Sequence, residues 1–210
     1  VNFTSTDPSG NQAVASFPVT VIDTEPPVIS NVPDDIVQDN DPGTCGAVVT
    51  WTNPSNTDNC EVDEVNQTHS PDDTFPVGTT TVNFTSTDPS GNQAVASFTV
   101  TVNDNEPPIL IDCPIDIVEE ADPTACGVVV EFTPPTVADT CDGSSLEVVC
   151  TPDTGSIFEL GSTTVTCGVT DEAGNQASCT FTVTVEDNTP PILIVPGDVS
   201  VECGQTVDIG

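Results

Sequence analysis

The sequence predicts an all-β protein, a linear array of tandem β-sandwich domains, and three observations carry that expectation. The chain repeats itself: Val1–Phe17 (VNFTSTDPSGNQAVASF) returns unchanged at Val82–Phe98, and a looser copy, VTCGVTDEAGNQASCTF, occupies Val165–Phe181. The copies lie 81 and then 83 residues apart, too far for a solenoid turn and right for a small domain. Runs rich in Val, Thr, Ile and Phe alternate with period two, most clearly FTVTV at 98–102 and again at 181–185. Finally, 20 Pro and 14 Gly punctuate the chain, as many short strands joined by turns require. About seven strands per unit, packed in two layers, satisfy these patterns.

Taken in order, residues 1–25 read as the C-terminal part of a unit, closed by VTVIDTEPPVI. A complete unit is expected at 26–106, closed by VTVNDNEPPIL, and a second at 107–189, closed by VTVEDNTPPIL. Residues 190–210 begin a further unit, so the sequence is expected to be a portion of a longer repetitive chain. Within the units, GAVVTWT (46–52) and GVVVEFT (127–133) are strand-like, and no stretch of ten or more residues has helical periodicity. The pairs Pro26–Pro27, Pro107–Pro108 and Pro190–Pro191 stiffen the linkers, because proline fixes its own φ and extends the residue before it.

The charge narrows the function. There are 34 acidic residues, one His and no Lys or Arg. Repulsion excludes nucleic acid and anionic membrane surfaces as partners. The lack of Lys excludes Lys–Asn isopeptide cross-links, and no apolar stretch is long enough to span a bilayer. Catalysis is not expected. His69 aligns with Cys150 of the next unit, so it cannot anchor a Ser–His–Asp triad common to the units, and it reads as a packed strand position. Trp51 aligns with Phe132 and reads as core in preference to a sugar-stacking platform. Asn2, Asn66 and Asn83 stand in N-x-T sequons.

Nine Cys point to an oxidising, extracellular setting. At the 81-residue offset Cys45 aligns with Cys126 and Cys60 with Cys141. Cys45 and Cys60 are the only cysteines of the first complete unit, so a Cys45–Cys60 bond is expected, and Cys126–Cys141 follows. A loop of that size is worth about 3 kcal/mol in the chain-entropy treatment. The second unit adds Cys113, Cys150, Cys167 and Cys179, whose counterparts are Val32, His69, Phe84 and Ala96. Pairing Cys113 with Cys179, and Cys150 with Cys167, suits a sandwich whose first and last strands are neighbours. Cys203 is left over, with its partner expected beyond the end of the sequence.

DPGTCGAVVTWTNPSNTDNC, HSPDDTFPVGTTTVNFTSTDPSGNQA, and FTVTVNDNEPP followed by DCP together resemble the hyalin repeat (HYR), an immunoglobulin-like β-sandwich. LGSTTVTCGVTDEAGNQASC stands at the same place in the second unit. The forms DNDPGTCGAVV and DVSVECG are similar to those of giant surface proteins of Bacteroidetes, including gliding-motility adhesins; sea-urchin hyalin is the eukaryotic alternative. The resemblance implies extracellular adhesion, a calcium connection and no catalytic activity.

Strand topology suggests where calcium would sit. The linker, the loop between second and third strands, and the hairpin between sixth and seventh strands meet at one end of a seven-strand sandwich. They bring together Asp104, Glu106, Asp139 and Asp171 at one junction, and Asp23, Glu25, Asp58 and Asp88 at the junction before it. Four carboxylates without a basic residue repel, and Ca²⁺ accepts such irregular oxygen sets, with an expected Kd of about 10⁻⁴–10⁻³ M. Asp in D-P-S-G-N is equally a turn former that caps its own backbone, with Gly91 and Asn92 supplying the unusual dihedrals. Both readings stand at this point. The expected role is a stalk or filament shaft of a cell-surface adhesin whose partners are neighbouring repeats of the same chain, with any surface or glycan ligand at a tip outside this sequence. The alternatives are repeats that themselves bind glycans or cells, or a calcium-dependent extracellular coat.

Overall fold

The computed structural model describes residues 1–123, 125–194, 197 and 200–204, so the end of the expected 190–210 unit lies outside the described residues. The chain divides into two compact units. The first comprises Val1–Pro108 together with Asp139–Gly143 and Asp171–Asn175; the second comprises Ile109–Ala138, Ser144–Thr170 and Gln176 onward. Among the described residues all regular structure is β.

The first unit holds ten strands: β1 (Asn2–Thr6), β2 (Gln12–Ser16), β3 (Val28–Ser30), β4 (Ile36–Asp39), β5 (Gly46–Val49), β6 (Ser55–Thr57), β7 (Glu64–Gln67), β8 (Asp73–Pro76), β9 (Gly78–Thr87) and β10 (Gln93–Asn103). A four-stranded sheet runs β4-β10-β9-β7, with β4 parallel to β10, and the ribbons β3–β6 and β5–β8 complete the sandwich. The sequence leads one to expect seven strands per unit; β3 to β10 make eight. The first strand is cut in two where Asn31 turns left-handed at φ 58° and Pro33 withholds an amide, so the chain leaves β6 and joins β10. Asp35 fixes that switch by accepting the amide of Thr99 at 2.7 Å. The core between the layers gathers Ala47, Val49, Phe75, Val82, Phe84, Phe98, Val100 and Val102. Trp51 packs edge-on against Phe75 and Phe98, with ring centroids at 5.9 and 5.3 Å, and its indole N–H donates to Asn53.

The second unit repeats the plan with β11 (Ile109–Ile111), β12 (Ile117–Glu120), β13 (Gly127–Val130), β14 (Thr136–Ala138), β15 (Val149–Thr151), β16 (Ser156–Glu159), β17 (Gly161–Thr170) and β18 (Gln176–Glu186). Its sheet runs β12-β18-β17-β15, beside the ribbons β11–β14 and β13–β16. Asp112 at φ 58° and the Asp116–Thr182 hydrogen bond mirror Asn31 and Asp35–Thr99. Cys113 is bonded to Cys179 and Cys150 to Cys167. Where the second unit has the Cys150–Cys167 bond, the first has His69 against Phe75 at 5.0 Å and Phe84 stacked on Phe98 at 6.0 Å.

The identical copies show what local sequence decides. Val1–Phe17 and Val82–Phe98 form the same hairpin in the same register, Asn2 opposite Ser16 as Asn83 is opposite Ser97. Their burial differs: Val82, Phe84 and Phe98 are within 4% of fully buried, whereas Val1, Phe3 and Phe17 are about half exposed or more. Turn chemistry and pairing are local; burial needs the other layer. Gly46 and Gly127, each just after a cysteine, are dictated by close approach, since a Cβ there would stand 2.5 Å from the carbonyl oxygen of Phe75 or Phe158.

Ser86 on β9 is fully buried, and its hydroxyl has no hydrogen-bond partner. The second unit carries Val169 at the aligned position, 5% exposed. Replacing an unsatisfied buried hydroxyl by an apolar group removes its desolvation penalty, about 1–3 kcal/mol, less any crowding cost. S86V is therefore expected to raise the urea midpoint of the first unit, corresponding to about 1 kcal/mol, with the slope of the transition unchanged.

Candidate functional site

The sequence-predicted acidic residues converge in part. In the first unit, ligand atoms of Asp23, Asp58 and Cys60 lie within 4.8 Å of one another, and so do those of Asp104, Asp139 and Cys141. The backbone builds both sets alike. Asp104 directly follows the long strand β10 and Asp23 lies in the extended segment after β2, and each accepts the amide two residues on, from Glu106 and Glu25, at 3.1 Å. Asp58 Oδ1 accepts the amides of Cys60 and Glu61 at 2.8 and 3.3 Å, and Asp139 Oδ1 those of Cys141 and Asp142 at 2.7 and 2.9 Å. In these Asx turns Oδ1 is taken by backbone amides close to the neighbouring acid. Asp23 Oδ2 is buried and without a hydrogen-bond partner.

The other four candidates are engaged elsewhere. Asp88 accepts the Asn92 amide at 2.8 Å on Oδ1 and its side-chain N–H at 2.7 Å on Oδ2. Asp171 is held by Asn175 in the same way, at 2.6 and 2.8 Å, and Asp7 by Asn11. Asp88 and Asp171 thus cap their hairpin turns. Gly91 supplies the left-handed residue at φ 89°, and Asn92, expected to share that task, is instead the donor. Burial pushes the Asp88 carboxyl up, but bonds from Asn92 and the amides of Ser90 and Gly91 outweigh it and leave it below the usual carboxylate range. Glu25 Oε2 accepts from the Asn59 side chain at 2.6 Å, and Glu106 Oε1 from the Gly43 amide at 2.7 Å.

Sequence reasoning missed the asparagines and the cysteines of this site. Asn92 Nδ2 also reaches the carbonyl of Asp23 at 3.4 Å, and Asn175 Nδ2 reaches those of Asp104 and Glu106 at 3.3 Å, so each hairpin turn is tied to its linker. The signal was an Asn four residues after the Asp. Cys60 and Cys141 enter because each stands two residues after an Asx-turn aspartate, in D-N-C and D-T-C.

The pairing of those cysteines corrects the sequence expectation. Neither Cys45–Cys60 nor Cys126–Cys141 forms; Cys45 is bonded to Cys141, with Cα atoms 4.9 Å apart, and Cys60 and Cys126 are free thiols. The reason is the length of the sandwich. Cys45 lies where β10 ends, beside Asn40–Asn103 and Gly43–Glu106, whereas Cys60 lies where the chain enters, beside Asp23. The 11 residues of β10 separate these ends by about 33 Å, and a disulfide requires Cα atoms about 4.4–6.8 Å apart. The observed bond closes a loop with a sequence separation of 96. Chain entropy values such a loop nearer 4.7 than about 3 kcal/mol.

Electrostatics mark the two clusters differently. Burial, and then the charges of Asp139, Asp171 and Asp142, push the Asp104 carboxyl up by more than the Glu106 amide draws it down. The Cys60 thiol is pushed up, first by the facing Asp23 carboxylate, which favours the protonated sulfur, then by partial desolvation and the charges of Asp23, Asp58 and Asp88. Chemically, the clusters offer hard oxygen ligands with surplus negative charge, and Cys60 offers a sulfur available for covalent pairing.

Residues 22–102 and 103–185 each match the HYR domain. Over its whole length the chain is 37% identical to hyalin of Lytechinus variegatus, covering 40% of that protein, and 38% identical to hyalin of Strongylocentrotus purpuratus, covering 18%. It is 30% identical, over 87% of its length, to the sushi, von Willebrand factor type A, EGF and pentraxin domain-containing protein 1 of Rattus norvegicus, of which it covers 5%. The chain therefore spans well under half the length of these relatives. Among the described residues no helix is long and apolar enough to cross a membrane, which says nothing of a β-barrel.

Asp104 yields a pH prediction. Its folded value lies above its unfolded value, so folding takes up a proton; the group costs stability above the folded value, and the cost fades as pH falls through it. D104N keeps an oxygen for the Glu106 amide and removes the charge. In chelator at neutral pH it is expected to melt about 1–3 °C higher than the parent. That gain should vanish as pH approaches the ordinary carboxylate value of 3.8. A lower melting point for D104N in chelator at neutral pH would contradict the crowding of charge at this cluster.

Proposed function

Because this chain belongs to the HYR domain family, we propose that it is a load-bearing stretch of an extracellular adhesive protein, a shaft of tandem sandwiches braced by disulfides and by Ca²⁺ at its carboxylate clusters. The observation that carries the reading is the Cys45–Cys141 bond, which joins cysteines from the two successive HYR repeats. A covalent tie of that kind resists tension, and its persistence requires an oxidising compartment. The net charge of −34 without Lys or Arg supports a soluble extracellular surface element whose partners are neighbouring repeats.

Calcium is the ion whose chemistry suits the clusters. Asp23 with Asp58, and Asp104 with Asp139, present carboxylate oxygens at close range, and the unpartnered Asp23 Oδ2 is the atom that most needs a ligand. Bound there, Ca²⁺ would neutralise the charge that raises Asp104. Asp88 and Asp171 hold the hairpin turns beside the clusters, and Asn92 and Asn175 hold the linkers to those turns. Glu25 and Glu106 brace neighbouring loops. The role is mechanical, not enzymatic. Trp51, edge-packed on two phenylalanines, is no aromatic platform for a glycan, which favours a shaft over a ligand-binding surface. The narrower setting of a bacterial gliding-motility filament has only the DNDPGTCGAVV and DVSVECG forms behind it, while hyalins match over the full chain and favour an animal extracellular setting.

Small-angle X-ray scattering and matched thermal melts, in millimolar calcium and in chelator, test this reading. A longer, stiffer particle with a higher melting point is expected in calcium; at a tenfold excess over Kd each site adds about 1.4 kcal/mol. Identical curves in both buffers would overturn the calcium role and leave disulfides and prolines as the stiffeners. A doubled mass in calcium would replace the shaft by a laterally assembled coat.

A further inference from the structure

Cys60, Cys126 and Cys203 carry free, exposed thiols. Two of them occupy repeat positions whose counterparts are bonded: Cys126 is the counterpart of Cys45, and Cys60 of Cys141. The local frames agree as well as the sequence does. The loop bearing Cys45 is closed by Asp41 N to Gly46 O at 2.8 Å and Thr44 N to Asp41 O at 3.0 Å. The loop bearing Cys126 is closed by Asp122 N to Gly127 O at 3.1 Å and Ala125 N to Asp122 O at 2.9 Å. On the receiving side, Asp139 accepts the amide of Cys141 at 2.7 Å and Asp58 that of Cys60 at 2.8 Å, with Asp104 and Asp23 in the matching places. Cys126 also opens on a groove of about 500 Å³ lined by Asp122, Leu160, Asp187 and Pro190.

We propose that Cys60 and Cys126 are half-sites of the bond formed between Cys45 and Cys141, and that their partner is another HYR repeat. Cys126 joins the cysteine of a following repeat that aligns with Cys141, and that repeat's Asx-turn loop fills the groove. Cys60 joins the cysteine of a preceding repeat that aligns with Cys45. Cys203, followed by Gly204 as Cys45 is by Gly46 and Cys126 by Gly127, takes the outgoing role in its own repeat. One disulfide then recurs at every junction, and the array is covalently laced from repeat to repeat independently of calcium. Each bond forms as two thiols lose their hydrogens. The two electrons and two protons pass to a disulfide oxidant, glutathione disulfide or an oxidised dithiol oxidoreductase, which departs as two thiols.

Disulfide mapping of the natural full-length protein tests the proposal. Free thiols are alkylated before unfolding, the chain is cut with an endoproteinase specific for acidic residues, and the peptides are weighed with and without reduction. Cys60 and Cys126 are expected only in linked pairs, each with the aligned cysteine of the adjacent repeat. Recovery of either as an alkylated thiol, as Cys45–Cys60 or Cys126–Cys141, or bonded to any other cysteine, overturns it. In C126S, whose exposed site spares the core, one additional alkylated cysteine is expected, the one aligned with Cys141 in the following repeat. Release of a different thiol, or of none, counts against it. The mapping reads covalent connectivity alone, so its outcome is separable from that of the calcium experiment.

Discussion

With 34 carboxylates and neither Lys nor Arg, each acidic side chain that leaves water must be met by an uncharged donor, chiefly a backbone or asparagine N–H, or by nothing. The fold is arranged around that constraint. Asp35 and Asp116 pin the sheet switch by accepting amides of the last strand, Asp7, Asp88 and Asp171 are each gripped twice by one asparagine, and Asp58 and Asp139 cap the turns that carry cysteines. Backbone amides do here what basic side chains do elsewhere, and they do it at fixed positions. Acidic residues thereby become structural punctuation. Where amides run out, at Asp23 Oδ2 and around Asp104, charge is left over.

Those leftover sites coincide with the linkers, and this couples fold to function. The linker carboxylates, the Asx-turn loop and the asparagine of the hairpin turn meet within a few ångströms, so whatever neutralises the charge also fixes the linker. The Cys45–Cys141 bond lies in the same cluster. A covalent bond, hydrogen bonds from Asn175 and surplus carboxylates therefore bear on one short stretch, Asp104–Glu106. Bracing of this kind is additive in purpose but independent in chemistry: reduction, chelation and acid would each remove a different part.

Much of this was legible in the sequence, for physical reasons. Period-two alternation and D-x-x-G-N turns are local, which is why β1–β2 and β9–β10 form the same hairpin from the same residues. Convergence of Asp23 with Asp58, and of Asp104 with Asp139, followed from strand order. Burial did not follow: Phe3 and Phe84 occupy the same place in identical sequence, one exposed and one in the core. The role of Asp88 was open because a capping aspartate and a calcium ligand have the same sequence signature; the structure adds the two bonds from Asn92 that make it a turn cap. The disulfides of the second unit were readable from strand neighbours, but Cys45–Cys60 was not excluded by spacing. A separation of 15 residues fixes loop entropy and says nothing about which end of a sandwich each cysteine occupies.

Cysteine connectivity in the 210-residue chain itself is the most direct measurement of this account. Digestion under non-reducing conditions with an endoproteinase specific for acidic residues, followed by mass spectrometry, reads it in one step. The peptide containing Cys45 is expected to be recovered covalently joined to the peptide containing Cys141 and to separate from it only on reduction. Recovery of Cys45 joined to Cys60 would contradict this pairing, placing the bond within one repeat and leaving the linker cluster without its covalent brace.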